Sequence, residues 1–322
     1  MAKYHSTQNY YALCLDMDGT ALSRRHELST DNLRALHTIS PYLTIIPTSG
    51  RARISSEQVF ERKFDEQPLY KFDTPIVIAF NGTLIYRNGA LIHANPIKGT
   101  AADDIQGFVQ RELPKTVVLV RYSYDNAFAQ VTNENEGRFR PYAEKNRHVQ
   151  MEAVESLQRG GTPPKFIVLA KSKQDIEPLV NMLRGREDLY ITWSGSDDEP
   201  QLEIMSAGVN KLDAVQRLIE YENGLPLNKK LIRRSVTPLG LEHFVTIGDS
   251  DNDFEVLANS GLKIAPRNAT QKVKGIEGII TTRSSNDENC VAEAVDQYIM
   301  PRLHGDGDPR RQNHNPPRLV PA

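Results

Sequence analysis

The chain has 322 residues, 39% of them hydrophobic and 25% charged, and its formal net charge at pH 7 is -2. This composition is ordinary for a globular protein, and the length predicts about two domains. The balanced charge excludes a strongly basic protein that binds nucleic acid or an anionic membrane surface, and no apolar run reaches the roughly 18 residues of a membrane-spanning helix.

The amino terminus and the cysteines both favour a cytoplasmic protein. Residues 1–10 are polar and lack the apolar core of a signal peptide. Cys14 lies in a predicted buried strand, and we expect it and Cys290 to be reduced core thiols rather than a disulfide. The eight histidines are scattered and no Cys-x-x-Cys pair occurs, so the sequence predicts no zinc site.

The first part of the chain predicts an alternation of strands and helices. Residues 11–15, 42–47 and 75–80 are apolar runs that indicate buried strands. A helix is expected over 29–38, with Ser29 as its N-cap. Each apolar run ends in small polar residues and a glycine, which predicts parallel strands whose following loops share one edge of a sheet.

The middle of the chain changes character. Asn88 and Gly89 mark a hairpin turn between two short apolar runs. The remaining pattern predicts further strands and two helices, with the strands over 84–86, 90–93, 116–122, 127–132, 165–170, 189–193 and 201–205 and the helices over 102–113 and 173–186. This indicates an α+β domain inserted into the first fold.

The last third returns to the first pattern. The expected elements are a helix over 209–222, a basic solvated loop over 223–237, strands over 243–247 and 262–265, a helix over 253–258 and a closing helix over 287–299. Residues 301–322 have few large apolar side chains, and we expect them to be disordered. The predicted fold class is α/β, a doubly wound parallel-sheet core with an inserted α+β domain.

Two acidic clusters follow strands in this reading. Asp16 and Asp18 come directly after the first strand, and Asp249 and Asp253 come after the strand over 243–247. If these strands are neighbours the carboxylates converge, and two like charges about 4 Å apart repel by roughly 4 kcal/mol at an effective dielectric near 20. Such a cluster requires a cation or raised pKa values, and an all-oxygen ligand set favours Mg²⁺. The alternative is an ordinary turn after the first strand and helix-start carboxylates after the second.

Five motifs in this order resemble those of the haloacid dehalogenase superfamily of aspartate-nucleophile phosphatases. The closer similarity is to its Cof-type group, which carries a large α/β cap inserted after the third core strand. The resemblance covers most of residues 11–299 and rests on Asp16-Met17-Asp18-Gly19-Thr20, Ser49-Gly50-Arg51, Asn81-Gly82, Gly208-Val209-Asn210-Lys211 and Gly248-Asp249-Ser250-Asp251-Asn252-Asp253. The chain departs from the group's pattern at Thr83, Leu212 and Asn289-Cys290, outside the expected chemistry.

The resemblance implies a domain organisation. The catalytic core is expected over 1–82 and 207–300, and the cap, which selects the substrate, over 83–206. The tail over 301–322 lies outside both.

The resemblance also implies a two-step hydrolysis. Asp16 is expected to attack phosphorus and form an aspartyl-phosphate, while Asp18 acts first as general acid and then as general base. Mg²⁺ is expected to be held by Asp16, the backbone carbonyl of Asp18, Asp249 and Asp253.

Four further residues are implied in phosphate binding. Ser49 is expected to bond a phosphoryl oxygen and Lys211 to neutralise developing charge, with the Gly50 amide and Asn252 as helpers. Taken singly, Ser49 and Asn252 are also compatible with helix caps, and Lys211 with a solvated helix start. A lysine in a first helical turn opposes the helix dipole, so a phosphate partner accounts for Lys211 better. For Arg51, a structural salt bridge and a role in the site both stay open.

The function expected is therefore a Mg²⁺-dependent phosphatase that acts on a small phosphorylated metabolite, most simply a sugar phosphate. One alternative is a phosphomutase of the same superfamily, resembling phosphomannomutase. Another is a non-catalytic binding protein on the same fold. The expected partner is a small phosphate ester, without nucleic acid or membrane, and the expected assembly is a monomer or a small homo-oligomer.

Overall fold

The computed structural model describes residues 10–64, 67–71, 74–195, 198–232 and 238–303. The chain divides into two units, one from residues 1–46 and 219–322 and the other from residues 47–218. Residues 47–82 fall in the second unit because Ala52, Phe80 and Leu84 pack in one apolar cluster with later strands of that unit. The core and cap limits expected from the sequence, at 82/83 and 206/207, stay a prediction about domain organisation.

The strands are short and are spread along the whole chain. They are β1 (Ala12–Leu15), β2 (Thr44–Pro47), β3 (Glu61–Phe64), β4 (Gln67–Lys71), β5 (Ile76–Ala79), β6 (Leu84–Arg87), β7 (Ala90–Ala94), β8 (Val118–Tyr122), β9 (Asn126–Gln130), β10 (Gln150–Val154), β11 (Phe166–Leu169), β12 (Leu189–Gly195), β13 (Pro200–Ser206), β14 (Phe244–Ile247), β15 (Leu262–Ala265) and β16 (Ile280–Thr281).

The α-helices lie between and after these strands. They are α1 (Thr30–Ile39), α2 (Arg53–Gln58), α3 (Gly99–Glu112), α4 (Glu136–Lys145), α5 (Glu177–Leu183), α6 (Lys211–Gly224), α7 (Phe254–Asn259), α8 (Gln271–Lys274), α9 (Cys290–Glu293) and α10 (Met300–Leu303). Among the described residues, every helix is too short or too polar to cross a lipid bilayer.

The first unit is built on a five-stranded sheet in the order β16-β15-β14-β1-β2. The pairs β1–β14, β14–β15 and β15–β16 are all parallel. Every residue of β1 and β14 is buried, as expected for strands covered on both faces. The predicted parallel-sheet core is confirmed, and β1 and β14 are direct neighbours in it.

Helix α1 begins as the sequence predicts. The Ser29 side chain accepts a hydrogen bond from the Asn32 N–H and so caps the helix. Leu33, Leu36 and Ile39 are buried along one face of α1. Both cysteines of the chain are free and buried, which agrees with the expectation of core thiols.

The predicted closing helix over 287–299 is not continuous. Asn289 is in the left-handed region, with φ +66°, and separates a 3₁₀ turn at Asn286–Glu288 from α9. A π-helical stretch, Ala294–Ile299, then leads into α10. Residues 301–303 are therefore helical rather than part of a disordered tail, and residues 304–322 lie outside the described residues.

The loop predicted to be solvated after α6 is in part a packed segment. The fully buried Glu222 carboxylate accepts hydrogen bonds from the N–H groups of Leu231 (2.9 Å) and Ile232 (3.3 Å), and the Ile232 side chain is itself buried. The interpretation as a solvated loop is wrong for this part, because two backbone donors and one apolar side chain are satisfied inside the fold. Residues 233–237 of the same loop lie outside the described residues.

The second unit contains a six-stranded mixed sheet in the order β10-β9-β8-β11-β13-β12. Its pairs are antiparallel except β9–β10, which is parallel. The unit also holds the antiparallel pair β3–β4 and the three-stranded sheet β5-β6-β7. The turn between β6 and β7 has positive φ at Asn88 (49°) and Gly89 (75°), which confirms the predicted hairpin.

Strand β5 pairs differently on its two edges. The Ser49 N–H bonds to the Ile78 carbonyl and the Phe80 N–H to the Arg51 carbonyl, each at 3.0 Å, as in a parallel ladder. The other edge of β5 pairs antiparallel with β6. The predicted parallel direction of this third strand is confirmed on the edge that faces residues 48–51, while the hairpin that follows β5 occupies its other edge.

Candidate active site

Asp16 lies at the carboxyl end of β1. Its N–H donates to the Ile247 carbonyl at 3.0 Å, which extends the β1–β14 ladder by one residue. The loop then curls back, since the N–H of Ala21 bonds to the Asp16 carbonyl and that of Leu22 to the Met17 carbonyl. Asp16 is only 6% exposed, so its position is fixed by the ladder on one side and the loop on the other.

Asp249 and Asp253 follow the neighbouring strand β14. The Asp253 carboxylate accepts hydrogen bonds from the N–H groups of Asp249 (3.1 Å) and Ser250 (3.2 Å), which closes a capping box. A Cβ at Gly248 would lie 2.5 Å from the Asp253 Cγ, so this turn requires glycine. Asp253 therefore does cap a helical turn through Oδ2, as the alternative interpretation expected, and it is almost fully buried.

The two loops bring three carboxylates together. One oxygen each from Asp16, Asp249 and Asp253 lies within 4.8 Å of the others. At that separation two carboxylates repel by roughly 3–4 kcal/mol at an effective dielectric near 20. Hard oxygen ligands without histidine or cysteine form a donor set that Mg²⁺ accepts, so these residues fit the expected ion.

A second set of contacts holds Asp249 in place. The Thr20 hydroxyl donates to Asp249 Oδ1 at 2.8 Å. Gly19 has φ +79°, and a Cβ there would lie 2.5 Å from Asp249 Oδ2. The Asn268 amide donates to the Gly19 carbonyl at 2.7 Å, so the backbone that presses on Asp249 is itself anchored.

Asp18 faces a different partner. Among the described residues, the cluster of carboxylates close enough to share an ion does not include the Asp18 side chain. Its Oδ1 lies 3.0 Å from Nδ1 of His26, and both side chains are partly exposed. A partly exposed carboxyl two residues after Asp16 can exchange protons, as a general acid requires.

Ser49 and Gly50 belong to the second unit. The Ser49 hydroxyl oxygen accepts a hydrogen bond from the Arg51 N–H at 3.2 Å, and the side chain is buried. The N-cap of the helix that follows is Ala52, so the alternative of Ser49 as a helix cap is wrong. Gly50 lies against Asn81, because a Cβ at Gly50 would be 3.2 Å from the Asn81 Oδ1.

Lys211 is the first residue of α6 and is 1% exposed. The alternative of a solvated lysine is therefore wrong. The helix start is capped by Asn210, whose Oδ1 accepts from the Asp213 N–H at 2.7 Å. Gly82 packs on the same turn, since a Cβ there would lie 2.4 Å from the Asn210 carbonyl oxygen. Burying an ammonium is costly unless an anion compensates it.

The structure shows fewer contacts for Asn252 and Arg51 that bear on their expected roles. Asn252 is exposed, and its side-chain oxygen accepts from the Ser250 hydroxyl at 2.7 Å. The N-cap of that 3₁₀ turn is Ser250, so Asn252 is not its cap. Arg51 is half-buried, which leaves both interpretations of it open.

Sequence reasoning missed three residues around the triad. Thr20 lies inside a recognised motif, so its spacing was available as a signal. Asn268 has no local signal, because its bond to Gly19 links positions 249 residues apart. His26 has no local signal; its φ of +59°, a conformation that non-glycine residues seldom adopt, is visible only in the structure.

Cys290 closes the inner side of the Thr20 turn. Its thiol donates to the Thr20 carbonyl at 3.2 Å. Burial, reinforced by the nearby Asp249 charge, raises the pKa of the Cys290 thiol to about 12. The thiol is therefore protonated and acts as a packing group rather than a nucleophile.

Comparison with known proteins places these motifs in one family. The family model for haloacid dehalogenase-like hydrolases matches residues 13–295. The chain is 26% identical over 298 residues to the phosphatase YwpJ of Bacillus subtilis, an alignment that covers 89% of this chain and 99% of that protein. It is 24% identical to the 5-amino-6-(5-phospho-D-ribitylamino)uracil phosphatase YitU of Bacillus subtilis, over 90% of this chain and 97% of that one.

The fold has similar solved structures. The crystal structure of TM0651 from Thermotoga maritima superposes with a TM-score of 0.69 at 24% identity, over 89% of this chain and 96% of that one. A haloacid dehalogenase-like hydrolase from B. subtilis gives a TM-score of 0.67 at 20% identity, over 89% and 99%. At these sequence identities, the structural similarity shows the fold alone.

Proposed function

This chain belongs to the haloacid dehalogenase-like hydrolase family, as a phosphatase of its Cof-type group, and on that premise we propose that it hydrolyses a small sugar phosphate through an aspartyl-phosphate on Asp16. The observation that carries the proposal is the convergence of Asp16, Asp249 and Asp253 at the carboxyl ends of β1 and β14. This is where open α/β sheets place their sites.

In the first step, a carboxylate oxygen of Asp16 forms a bond to phosphorus while the bond from phosphorus to the leaving oxygen breaks. The protonated Asp18 carboxyl gives its proton to that oxygen, which leaves as an alcohol. In the second step, the Asp18 carboxylate takes a proton from water as the water oxygen attacks phosphorus. Inorganic phosphate leaves and the Asp16 carboxylate is regenerated.

The residues that would hold Mg²⁺ are Asp16, Asp249 and Asp253 through carboxylate oxygens and Asp18 through its backbone carbonyl. When bound, the ion supplies positive charge that lets a carboxylate approach a phosphate dianion. The burial of Asp16 and Asp253 supports this assignment, since neighbouring buried carboxylates need a compensating cation.

Phosphate binding is assigned to Ser49 and Lys211, with the Gly50 amide and Asn252 as helpers. The burial of Lys211 in the first turn of α6 supports its part, because an ammonium there opposes the helix dipole and gains from an anion. Residues 83–206, the expected cap, are assigned the role of selecting the alcohol part of the substrate.

A polyhydroxylated phosphate ester is the proposed substrate class. The name of the relative YitU assigns that protein a phosphorylated ribityl substrate, which is a polyol phosphate monoester. The corresponding test measures phosphate release from a panel of sugar and polyol phosphates, and from p-nitrophenyl phosphate, in Mg²⁺ and after EDTA. We expect release from one or more members in Mg²⁺, loss of release in EDTA and recovery when Mg²⁺ is restored.

A matched pair of variants completes this test. Asp16→Asn is expected to abolish release while the protein stays folded, and Asp251→Asn, the same change at an exposed aspartate beside the site, is expected to retain it. Turnover without metal, or near-wild-type turnover by Asp16→Asn, contradicts the proposal. Isomerised sugar phosphate without free phosphate shows the phosphomutase instead.

A further inference from the structure

A buried ion pair lies on the six-stranded sheet of the second unit. The Lys165 Nζ is 2.5 Å from Glu203 Oε2, and the two side chains are 8% and 16% exposed. Glu203 is paired with Ile167 across the β11–β13 ladder, two residues from Lys165 on the same face of the sheet. Lys165 and Glu203 are therefore diagonal neighbours, and the backbone fixes their encounter.

The pair lies in a largely buried part of the sheet. Tyr122, whose N–H bonds to the Lys165 carbonyl, joins its hydroxyl to that of Tyr142 at 2.7 Å. Burial raises the pKa of both phenols, and the Glu203 charge adds to the effect. A buried ion pair contributes little net stability, because the desolvation of two charges offsets their attraction. Stability alone therefore does not explain why charges stand here.

A second contact of Lys165 gives a reason for the buried charge. Its Nζ lies 3.5 Å from the carbonyl oxygen of Gly50, in the loop that follows β2. This carbonyl belongs to the same peptide plane as the Arg51 N–H, and that N–H donates to the Ser49 hydroxyl oxygen at 3.2 Å. Because a peptide unit is rigid and planar, an ammonium that holds the carbonyl also sets the direction of the N–H.

The Ser49 hydroxyl thereby receives one hydrogen bond from the backbone. An oxygen that accepts from the Arg51 N–H keeps its own proton to give to another acceptor. We infer that Lys165, held by Glu203, is a positioning residue that orients the Gly50–Arg51 peptide so that the Ser49 hydroxyl donates to a phosphoryl oxygen. This inference rests on the proposed function, since it takes Ser49 as a phosphate ligand.

The test is a mutant cycle. For each variant, the affinity for inorganic phosphate is measured by calorimetry in Mg²⁺, and KM and kcat are measured as well. Lys165→Met alone leaves the Glu203 charge buried, so it is expected to unfold more easily. The double variant Lys165→Met/Glu203→Met replaces the whole pair by apolar side chains and is expected to recover thermal stability. Ser49→Ala removes the hydroxyl, and the triple variant combines the changes.

We expect Ser49→Ala to weaken phosphate binding roughly tenfold, as for a lost hydrogen bond to a charged group. The Lys165→Met/Glu203→Met variant is expected to weaken phosphate binding by a similar factor although its stability is restored. In the Ser49→Ala background the same pair replacement is expected to change phosphate binding less than about twofold, because coupled residues are not additive.

Two results overturn the inference and leave the proposed function standing. One is unchanged phosphate affinity in the stable Lys165→Met/Glu203→Met variant. The other is a triple variant whose loss of phosphate affinity equals the product of the losses caused by Ser49→Ala and by the pair replacement. A wild-type protein that neither hydrolyses phosphate esters nor binds phosphate contradicts the proposed function itself, and with it the role of Ser49.

Discussion

The Thr20 hydroxyl donates a 2.8 Å hydrogen bond to Asp249 Oδ1 across 229 residues of sequence. Thr20 is fully buried, and its loop follows β1, while Asp249 follows β14. This bond leaves the other Asp249 oxygen, Oδ2, beside the Gly19 backbone. The orientation of a proposed metal ligand is therefore set by a residue that is not itself a ligand.

Replacing Thr20 tests that orientation. Thr20→Val keeps the shape of the side chain but removes the donor, and we expect the Mg²⁺ concentration for half-maximal activity to rise 10–100-fold, as is usual when a partner of a metal ligand is lost. Thr20→Ser keeps a hydroxyl and is the control. A Mg²⁺ titration of phosphate release measures both. Equal Mg²⁺ concentrations for half-maximal activity in wild type and Thr20→Val contradict the proposed role of the Thr20–Asp249 hydrogen bond.

Gly19 and Gly89 form a matched pair for the close approach at Asp249. Both have positive φ, at 79° and 75°, so alanine at either position costs about 1–2 kcal/mol of backbone strain. Only at Gly19 does the added Cβ meet Asp249, while at Gly89 nothing lies within 4 Å. We expect both variants to lose stability in urea, with the larger loss in Gly19→Ala, and Gly19→Ala alone to lose phosphatase activity. Full activity in Gly19→Ala contradicts the tight approach.

The Cys290 thiol predicts a pH dependence of stability. Its pKa is about 12 in the folded protein against 9.0 for an ordinary thiol, so the folded state favours the protonated form. The stabilisation is fully present below pH 9 and is lost as pH rises from 9 towards 12. Between pH 8 and pH 10 this group alone is expected to lower the free energy of unfolding by about 1 kcal/mol.

Urea unfolding of wild type and Cys290→Ala at both pH values, with EDTA and a reducing agent present, isolates this effect. The tyrosines and lysines titrate in both proteins, so their contribution cancels in the comparison. The wild type is expected to lose more stability than Cys290→Ala over this range. Parallel losses in the two proteins contradict a buried, protonated thiol.

The parts of the fold that the sequence predicted are those with a local signal. The run Ala12–Leu15 is wholly apolar and ends in aspartate, and Ser29 stands where a helix needs an acceptor for its first N–H groups. The carboxylates after β1 and β14 converge because neighbouring parallel strands end at one edge of the sheet.

Other elements lack such a signal. Strand β10, Gln150–Val154, is a five-residue edge strand in which no residue is buried, so its signal in the sequence is weak. Helix α4 contains Pro141, which normally argues against a helix interior. The burial of Glu222 was also out of reach, because its partners are the backbone donors of Leu231 and Ile232 rather than a charged side chain.

The same distinction applies to the candidate site. Motif spacing named Asp16, Asp249 and Asp253. The bonds that hold Asp249 and the loop beside it, from Thr20 to Asp249 and from Asn268 to Gly19, connect distant positions and have no period in the sequence. The pair Lys165 and Glu203 illustrates this, since each residue taken alone reads as an ordinary surface charge. Tertiary structure decides which charges are buried and which partners they meet.

The most direct test of the account is chemical identification of the phosphorylated residue. The wild-type enzyme is mixed with its best substrate in Mg²⁺, quenched with acid within one turnover, digested and examined by peptide mass spectrometry. The account predicts a phosphoryl group on Asp16, absent from Asp16→Asn, whose turnover is lower by about 10⁴-fold or more. Single-turnover phosphate release without phosphorylated Asp16 at any quench time, or a phosphoryl group on another residue, contradicts it.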